Sequence, residues 1–407
     1  MSEIDVRHTQ PDEYRTAAAT FGAALMFPPP TDEQWADRAA TWDETVTYSA
    51  WRGTECVGHA GYFTFDTVVP GGARLGTAGV TRVGVRTTAR RNGVATRLLR
   101  ALVDQAVADG LVLASLRASE ATIYSRFGFG VAGNYASVKI EPHRARPVRG
   151  AASGGTFRML TSDEVLGVVG PLYERFGLRR PGMVTRPAAL GSRYFEGAVK
   201  GTESEYVVVH TNADGVDDGY VHYSTKWVDG PVAGSYGSGT VHEVIGADDA
   251  TELALWRFVL DVDLVKEWKS DERPVDDLIQ QAVRDCRSYT VVELDDEQWL
   301  RLVDVDAALT ARAYNPVEGS VVVEVSDPWV PANNGRWRVA GNGAQRDDAA
   351  TPDLSAPIEA VSAAYLGGHP WWQLAGTGDV TAHDPNAIAR ADALFVSTPA
   401  PFCGSFF

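Results

Sequence analysis

The stretch Val83-Gly84-Val85-Arg86-Thr87-Thr88-Ala89-Arg90-Arg91-Asn92-Gly93-Val94-Ala95-Thr96-Arg97-Leu98 changes its periodicity halfway along. Up to residue 86 the pattern alternates, so that Val83 and Val85 share one face, as in a strand running over 79–86. Beyond Gly93 the apolar residues Val94, Leu98, Leu102 and Ala106 recur every four positions, which predicts a helix to Asp109, and Gly110 stands where a helix takes a left-handed cap. Residues 111–116 are again a short apolar run, fit for a strand buried on both faces. The expectation is strand, loop, helix, strand, with Arg90, Arg91, Asn92 and Gly93 at the helix start. A helix start exposes unpaired N–H groups and a partial positive charge, so Arg90 to Thr96 is a candidate phosphate-binding loop, to which two arginines add charge-assisted donors.

Working outward, residues 46–51 and 56–65 read as a hairpin around the turn Arg52-Gly53-Thr54-Glu55, and Pro70-Gly71-Gly72 marks the next turn. The run from Ala145 to Gly155 has the composition of a linker and closes a first block, 1–150. A second boundary near 295 separates blocks 151–295 and 296–407, and the periodic segment from Trp299 to Leu309 predicts an amphipathic helix. Three units suit a length of 407 residues.

The composition, 44% hydrophobic and 22% charged, belongs to folded cores and excludes disorder, collagen-like repeats and coiled coils. The opening Met1 to Arg15 lacks a signal-peptide profile and apolar runs are short, so no membrane span and a cytoplasmic location are expected. The net charge of −16 disfavours nucleic acid and anionic membranes as partners. It is unevenly spread: residues 1–150 hold 17 basic and 15 acidic side chains, a balance of +2, which leaves −18 for the remainder. Cys56, Cys286 and Cys403 are too few and scattered for a disulfide framework, and the eight histidines show no ligand spacing, so no metal is expected.

Arg90, Gly93 and Ala95 match, position for position, the Arg/Gln-x-x-Gly-x-Gly/Ala signature that GNAT acyltransferases carry at a strand-to-helix junction. The resemblance narrows at Val69-Pro70-Gly71-Gly72, at 78–81, and at Ser119-Glu120-Ala121-Thr122-Ile123-Tyr124-Ser125-Arg126-Phe127-Gly128-Phe129, which together look like the enhanced intracellular survival (Eis) family of acetyltransferases. Later segments around Trp256, Leu302, Tyr314, Thr351-Pro352-Asp353-Leu354 and Tyr365-Leu366-Gly367-Gly368 agree with it.

The resemblance implies an α/β (α+β) chain: a catalytic GNAT unit, a second, degenerate GNAT-like unit and a sterol-carrier-like unit. It implies acetyl-CoA as co-substrate, an amine as acceptor and a homo-oligomer, a hexamer in the family. No second phosphate-loop signature occurs between 151 and 295, so one active site per chain is expected. By the same resemblance Val83, Gly84 and Val85 hold the pantetheine arm, Arg90 to Thr96 hold the pyrophosphate, and Ser119 and Glu120 touch the cofactor. Tyr124 is then the general acid and the carboxylate of Phe407 the general base. Trp35, Phe63 and Arg82 fall on the family's substrate side.

Each residue also has a plainer reading. Tyr124 can be a core tyrosine, Ser119-Glu120 a helix N-cap pair, Trp35 and Phe63 core aromatics, Arg82 a surface arginine, and the apolar tail Pro401 to Phe407 a cap on a core. Aminoglycosides are the family's familiar acceptors, and the acidic remainder suits polycations. Arg82 beside the thioester and Phe406 before the last residue give equal weight to an aromatic or peptide-like amine or a lysine side chain. The competing class is a CoA- or lipid-binding scaffold, with Trp329, Trp337, Trp371 and Trp372 lining an apolar pocket.

Overall fold

The computed structural model describes residues 3–201, 204–229 and 236–407, which form two compact units. The first takes in the chain up to Gly133 together with Glu297–Pro401 and Ser405–Phe407; the second takes in Asn134–Asp296 and Phe402–Gly404.

In the first unit the strands β1 (Ile4–His8), β2 (Thr45–Arg52), β3 (Glu55–Val68), β4 (Arg74–Val85) and β5 (Leu113–Leu116) lie side by side in chain order. The expected hairpin is β2–β3, turned through Gly53 at φ +60°. Helices α1 (Tyr14–Ala24) and α2 (Asp32–Asp43) precede it, and α2 starts on a capping box in which the Thr31 hydroxyl and the Gln34 amide side chain satisfy each other's backbone N–H groups. Helix α3 (Val94–Ala108) connects β4 to β5, which run parallel. It buries Val94, Leu98, Leu99, Leu102, Val103 and Ala106 and ends before Gly110 at φ +69°. Gly58 on β3 is what lets α3 pack so closely, because a Cβ there would come within 2.7 Å of Val94.

The segment from Trp299 to Leu309 differs from the expected single helix. Strand Tyr289–Leu302 runs through its first third, with Trp299 to Leu302 antiparallel to β5, and a helix, Val305–Ala311, starts only after Asp304 caps the Ala307 N–H at 3.0 Å. Every residue from Glu297 to Leu302 is buried, so the two-residue alternation that marks a half-exposed strand is erased. Within this run Arg301 is fully buried and paired with Asp327 at 2.7 Å. Its second nitrogen donates to the Phe127 carbonyl at 2.6 Å.

The rest of the first unit is a five-stranded sheet ordered Gly343–Arg346, Gly335–Ala340, Ser320–Ser326, Leu354–Pro357, Thr381–Ala382, with helices Ile358–Tyr365, Trp371–Gly376 and Ala387–Phe395. Its core includes Val321, Val323, Trp337, Tyr365, Trp371 and Phe395.

The second unit has strands ordered 134–140, Val265–Pro274, Tyr236–Gly246, Asp217–Val228, Glu205–Thr211, Thr156–Met159. Tyr236–Gly246 and Val265–Pro274 are parallel and joined through helix Asp249–Leu260, a repeat of the β4–α3–β5 arrangement. At this helix start, however, Asp248 accepts the Thr251 N–H at 2.8 Å and Asp249 follows. A carboxylate already occupies the place where a phosphate would bind. The stretch with linker composition is fastened to this unit: Ala145 and Val148 are buried in its core and the Arg149 N–H donates to the Ala282 carbonyl at 2.9 Å.

Among the described residues no helix is long and apolar enough to cross a membrane.

Candidate active site

The site begins where two strands part. β4 pairs with β5 only at Thr77, Ala78 and Gly79, the last opposite Ser115, whereas with β3 it continues to Val85 opposite Gly58. From Val80 to Val85 the β5-facing edge of β4 is therefore free of that ladder, and unpaired strand groups are strong binding groups. A bulge bends β4 at this place: Arg82 and Val83 together face Ala60, and Arg82 adopts φ +55°, a conformation rare for a residue with a side chain. Gly84 lies against α1, where a Cβ would approach the Phe21 Cα at 3.1 Å.

At the far end of this edge is the start of α3. Arg90, Arg91, Asn92, Gly93 and Thr96 are exposed, Ala95 is half-buried and Val94 is anchored in the core. Arg91 at φ +63° and Gly93 at φ +73° turn the chain into the helix. The N–H groups of Arg91, Asn92 and Gly93 form no backbone hydrogen bond among the described residues, and a Cβ on Gly93 would meet nothing within 4 Å. The first turn carries no acidic residue. Unpaired N–H groups, an open glycine and two arginines at a helix start make an anion cradle.

On the β5 side, the chain bends through exposed Ser119 and Glu120 to Tyr124. Neither Ser119 nor Glu120 caps a helix: the next helical turn, Ser125–Phe127, starts after Tyr124. The Tyr124 ring is buried and lies 6.4 Å from Trp299, which pairs with Leu116, the last residue of β5. Its hydroxyl has no hydrogen-bond partner among the described residues, and burial, aided by the negative charge of Glu120, pushes its pKa up to about 12.

On the β4 side stands the end of the chain. The Phe407 ring is buried and packs edge-on against Phe65, with centroids 4.8 Å apart. Phe65 fills the space over Gly79, where a Cβ would fall 2.1 Å from its ring. Phe407 is thus linked through the Phe65 ring to Gly79, the last rung of the β4–β5 ladder. Phe406 is exposed and carries the Arg117 guanidinium 5.3 Å over its ring. In the second unit the preceding residues are held by Arg186, which donates to the Gly404 carbonyl at 3.1 Å and to Glu243 at 2.6 Å.

The three residues expected on the substrate side form one wall. Arg82 lies between the rings of Trp42, 4.4 Å away, and Phe63, 5.4 Å away, and its nitrogens donate to the Thr41 hydroxyl at 2.6 Å and the Thr45 hydroxyl at 3.2 Å. Trp35 adds its ring 5.8 Å from Trp42. Arg82 is thus neither a free surface charge nor a core residue.

Phe65, Trp42 and Arg117 escaped the sequence reading, although Phe65 shares a strand face with Phe63 by simple alternation. Ser115, bonded to Gln298 at 3.2 Å, also lies buried at the split with no local sequence signal. The tryptophans do not form a common lining: Trp337 and Trp371 are fully buried in the core, Trp329 packs on Phe127, and Trp372 is 59% exposed.

Comparison with known proteins places the chain among acetyltransferases. Residues 5–132 and 182–302 each match a family described as acetyltransferase (GNAT) domain, and residues 305–404 match the sterol carrier protein domain. An N-acetyltransferase of Streptomyces avermitilis is 36% identical over 360 residues, 86% of this chain and 87% of that one. N-acetyltransferase Eis of Mycobacterium tuberculosis is 32% identical over 361 residues, 85% of this chain and 84% of that one. The crystal structure of Eis1 from Mycobacterium abscessus superimposes with a TM-score of 0.89 at 34% identity, covering 99% of this chain and all of that one.

Proposed function

The chain belongs to the Eis-like N-acetyltransferases of the GNAT superfamily, whose reaction is acetyl transfer to an amine, and we propose that its active site is the gap between β4 and β5 with Tyr124 as general acid and the Phe407 carboxylate as general base. The observation that supports this is the seat of Phe407 on Phe65, whose ring lies over Gly79, the last residue through which β4 pairs with β5.

The GNAT fold implies acetyl-CoA as co-substrate, and the residues fit it. Arg91, Asn92, Gly93 and the first turn of α3 offer donors to a pyrophosphate, with Arg90 adding charge, and Val83, Gly84 and Val85 offer the free strand edge to an extended amide chain. When bound, acetyl-CoA supplies an activated thioester. Ser119 and Glu120, exposed in the bend after β5, are assigned to the same cofactor.

Tyr124 keeps its proton at neutral pH and holds it for the departing sulfur. The base has the harder task, since a free α-carboxyl titrates near about 3.5. A water between the carboxylate and the acceptor would relay the proton of an ammonium.

We assign the acceptor to amines of low charge, aromatic or peptide-like, including a lysine side chain. The wall of Trp35, Phe63 and Arg82, with Arg117 over Phe406, presents rings and two guanidinium groups, a poor seat for a polycation such as an aminoglycoside. A homo-oligomer, a hexamer as in the family pattern, is the expected assembly.

The test is release of free thiol from acetyl-CoA with a panel of arylalkylamines, lysine peptides and aminoglycosides. The expected result is amine-dependent release, fastest with the first two. Binding of acetyl-CoA with no amine-dependent release would establish a scaffold instead, and a clear preference for aminoglycosides would overturn the assignment of acceptor.

A further inference from the structure

Glu205, His222 and His242 come from three neighbouring antiparallel strands of the second unit, Glu205–Thr211, Asp217–Val228 and Tyr236–Gly246. Glu205 pairs with Ser224 and Val207 with His222, so Glu205 and His222 share one sheet face as diagonal neighbours. Thr240 pairs with Ser224 and Val241 with Tyr223, so continued alternation brings His242 opposite His222 on that same face; a bulge begins there, with Glu243 paired to His222 and His242 as the inserted residue. The two imidazole rings lie 4.7 Å apart, His222 Nε2 is 3.1 Å from the Glu205 carboxylate, and one donor atom from each of the three residues falls within 4.8 Å of the others.

We propose that Glu205, His222 and His242 form a binding site for a divalent transition-metal ion of the zinc type, separate from the acetyl-transfer chemistry. Two imidazoles and one carboxylate are the donor set that such a borderline ion prefers. One flank is closed: Phe195 packs 4.9 Å from His222, and helix Glu196–Lys200 crosses Glu205 at Gly197, where a Cβ would touch the carboxylate at 2.5 Å. The other flank is open, because His242 is exposed. Metal–nitrogen bonds of about 2.0–2.1 Å require the donors to draw together to about 3.4 Å. Rotation of the exposed His242 ring, now bonded to the Ser224 hydroxyl at 2.9 Å, supplies that movement.

The experiment uses the full chain, stripped with a chelator and dialysed, then titrated with Zn²⁺ by calorimetry and with Co²⁺ by visible absorption. One ion per chain should bind, with ligand-field bands for Co²⁺. His242→Ala, at an exposed position where folding is easily verified by circular dichroism, should weaken binding at least as much as the roughly 10- to 100-fold that outer-shell changes cause. Glu205→Gln should do the same. Absence of saturable binding at one ion per chain, or binding unchanged in His242→Ala and Glu205→Gln, would overturn the proposal.

Discussion

The ring of Phe407 meets that of Phe65 edge-on, 4.8 Å between centroids with 65° between planes. Phe65 in turn needs Gly79 beneath it, and Gly79 is the last residue through which β4 pairs with β5. One aromatic contact therefore links the end of the polypeptide to the point where the sheet opens. The position of Phe407 is set by the packing of its ring in the core rather than by a loose tail.

This contact separates the ring of Phe407 from its carboxylate in an experiment. Extending the chain by a few residues beyond Phe407 keeps the ring and converts the carboxylate into an amide. Turnover should fall by about 100-fold or more, the scale of general base catalysis, while the thermal midpoint and the KM for acetyl-CoA stay unchanged. An extended chain with full turnover would remove the carboxylate from the mechanism. Phe407→Ala, which keeps the charge but loses its seat, should lie between.

Tyr124→Phe should lower kcat by about 100-fold, again the scale of one acid–base group, with acetyl-CoA affinity retained in a direct binding assay. The pH profile gives a second readout. Because the hydroxyl is pushed up from the usual value of about 10 to about 12, the proton is still in place as pH rises through the ordinary tyrosine range and is lost only beyond it. The wild-type kcat should therefore show no Tyr124 limb between about pH 8 and 10. An alkaline fall in that window that disappears in Tyr124→Phe would contradict the buried-acid reading.

At the start of α3, Arg91→Glu should weaken acetyl-CoA binding by about tenfold, equivalent to about 1.4 kcal/mol, and wild-type affinity should decline with added salt because the arginines are exposed. Gly93→Ala has room for its methyl group but places it on a left-handed backbone, which costs about 1–2 kcal/mol. An acetyl-CoA dissociation constant that ignores both substitutions, measured by calorimetry, would exclude this loop.

The features that could be read from the sequence share a local cause. The switch from alternating Val83 and Val85 to the four-residue spacing of Val94, Leu98, Leu102 and Ala106 is set by each element's own face, so β4, α3 and β5 appeared where expected. Trp299 to Leu302 departs from the helix its spacing suggests for the opposite reason: it is buried throughout, and its pattern belongs to the sheet rather than to itself. Phe65 gained its importance through Gly79, paired with Phe63, two positions back on β3, and through a tail more than 300 residues later in the chain. The trio Glu205, His222 and His242 has no ligand spacing in the sequence, because the pairing of three separate strands is what assembles it.

The acid-capped helix start at Asp248 has a consequence for how a duplicated fold divides its labour. Two copies of one architecture, each ending a strand at a helix start, would both compete for the same nucleotide tail if both kept bare amides. By filling the second helix start with its own carboxylate, the chain carries a built-in occupant there, a counterpart of the anion that the open start of α3 is proposed to receive.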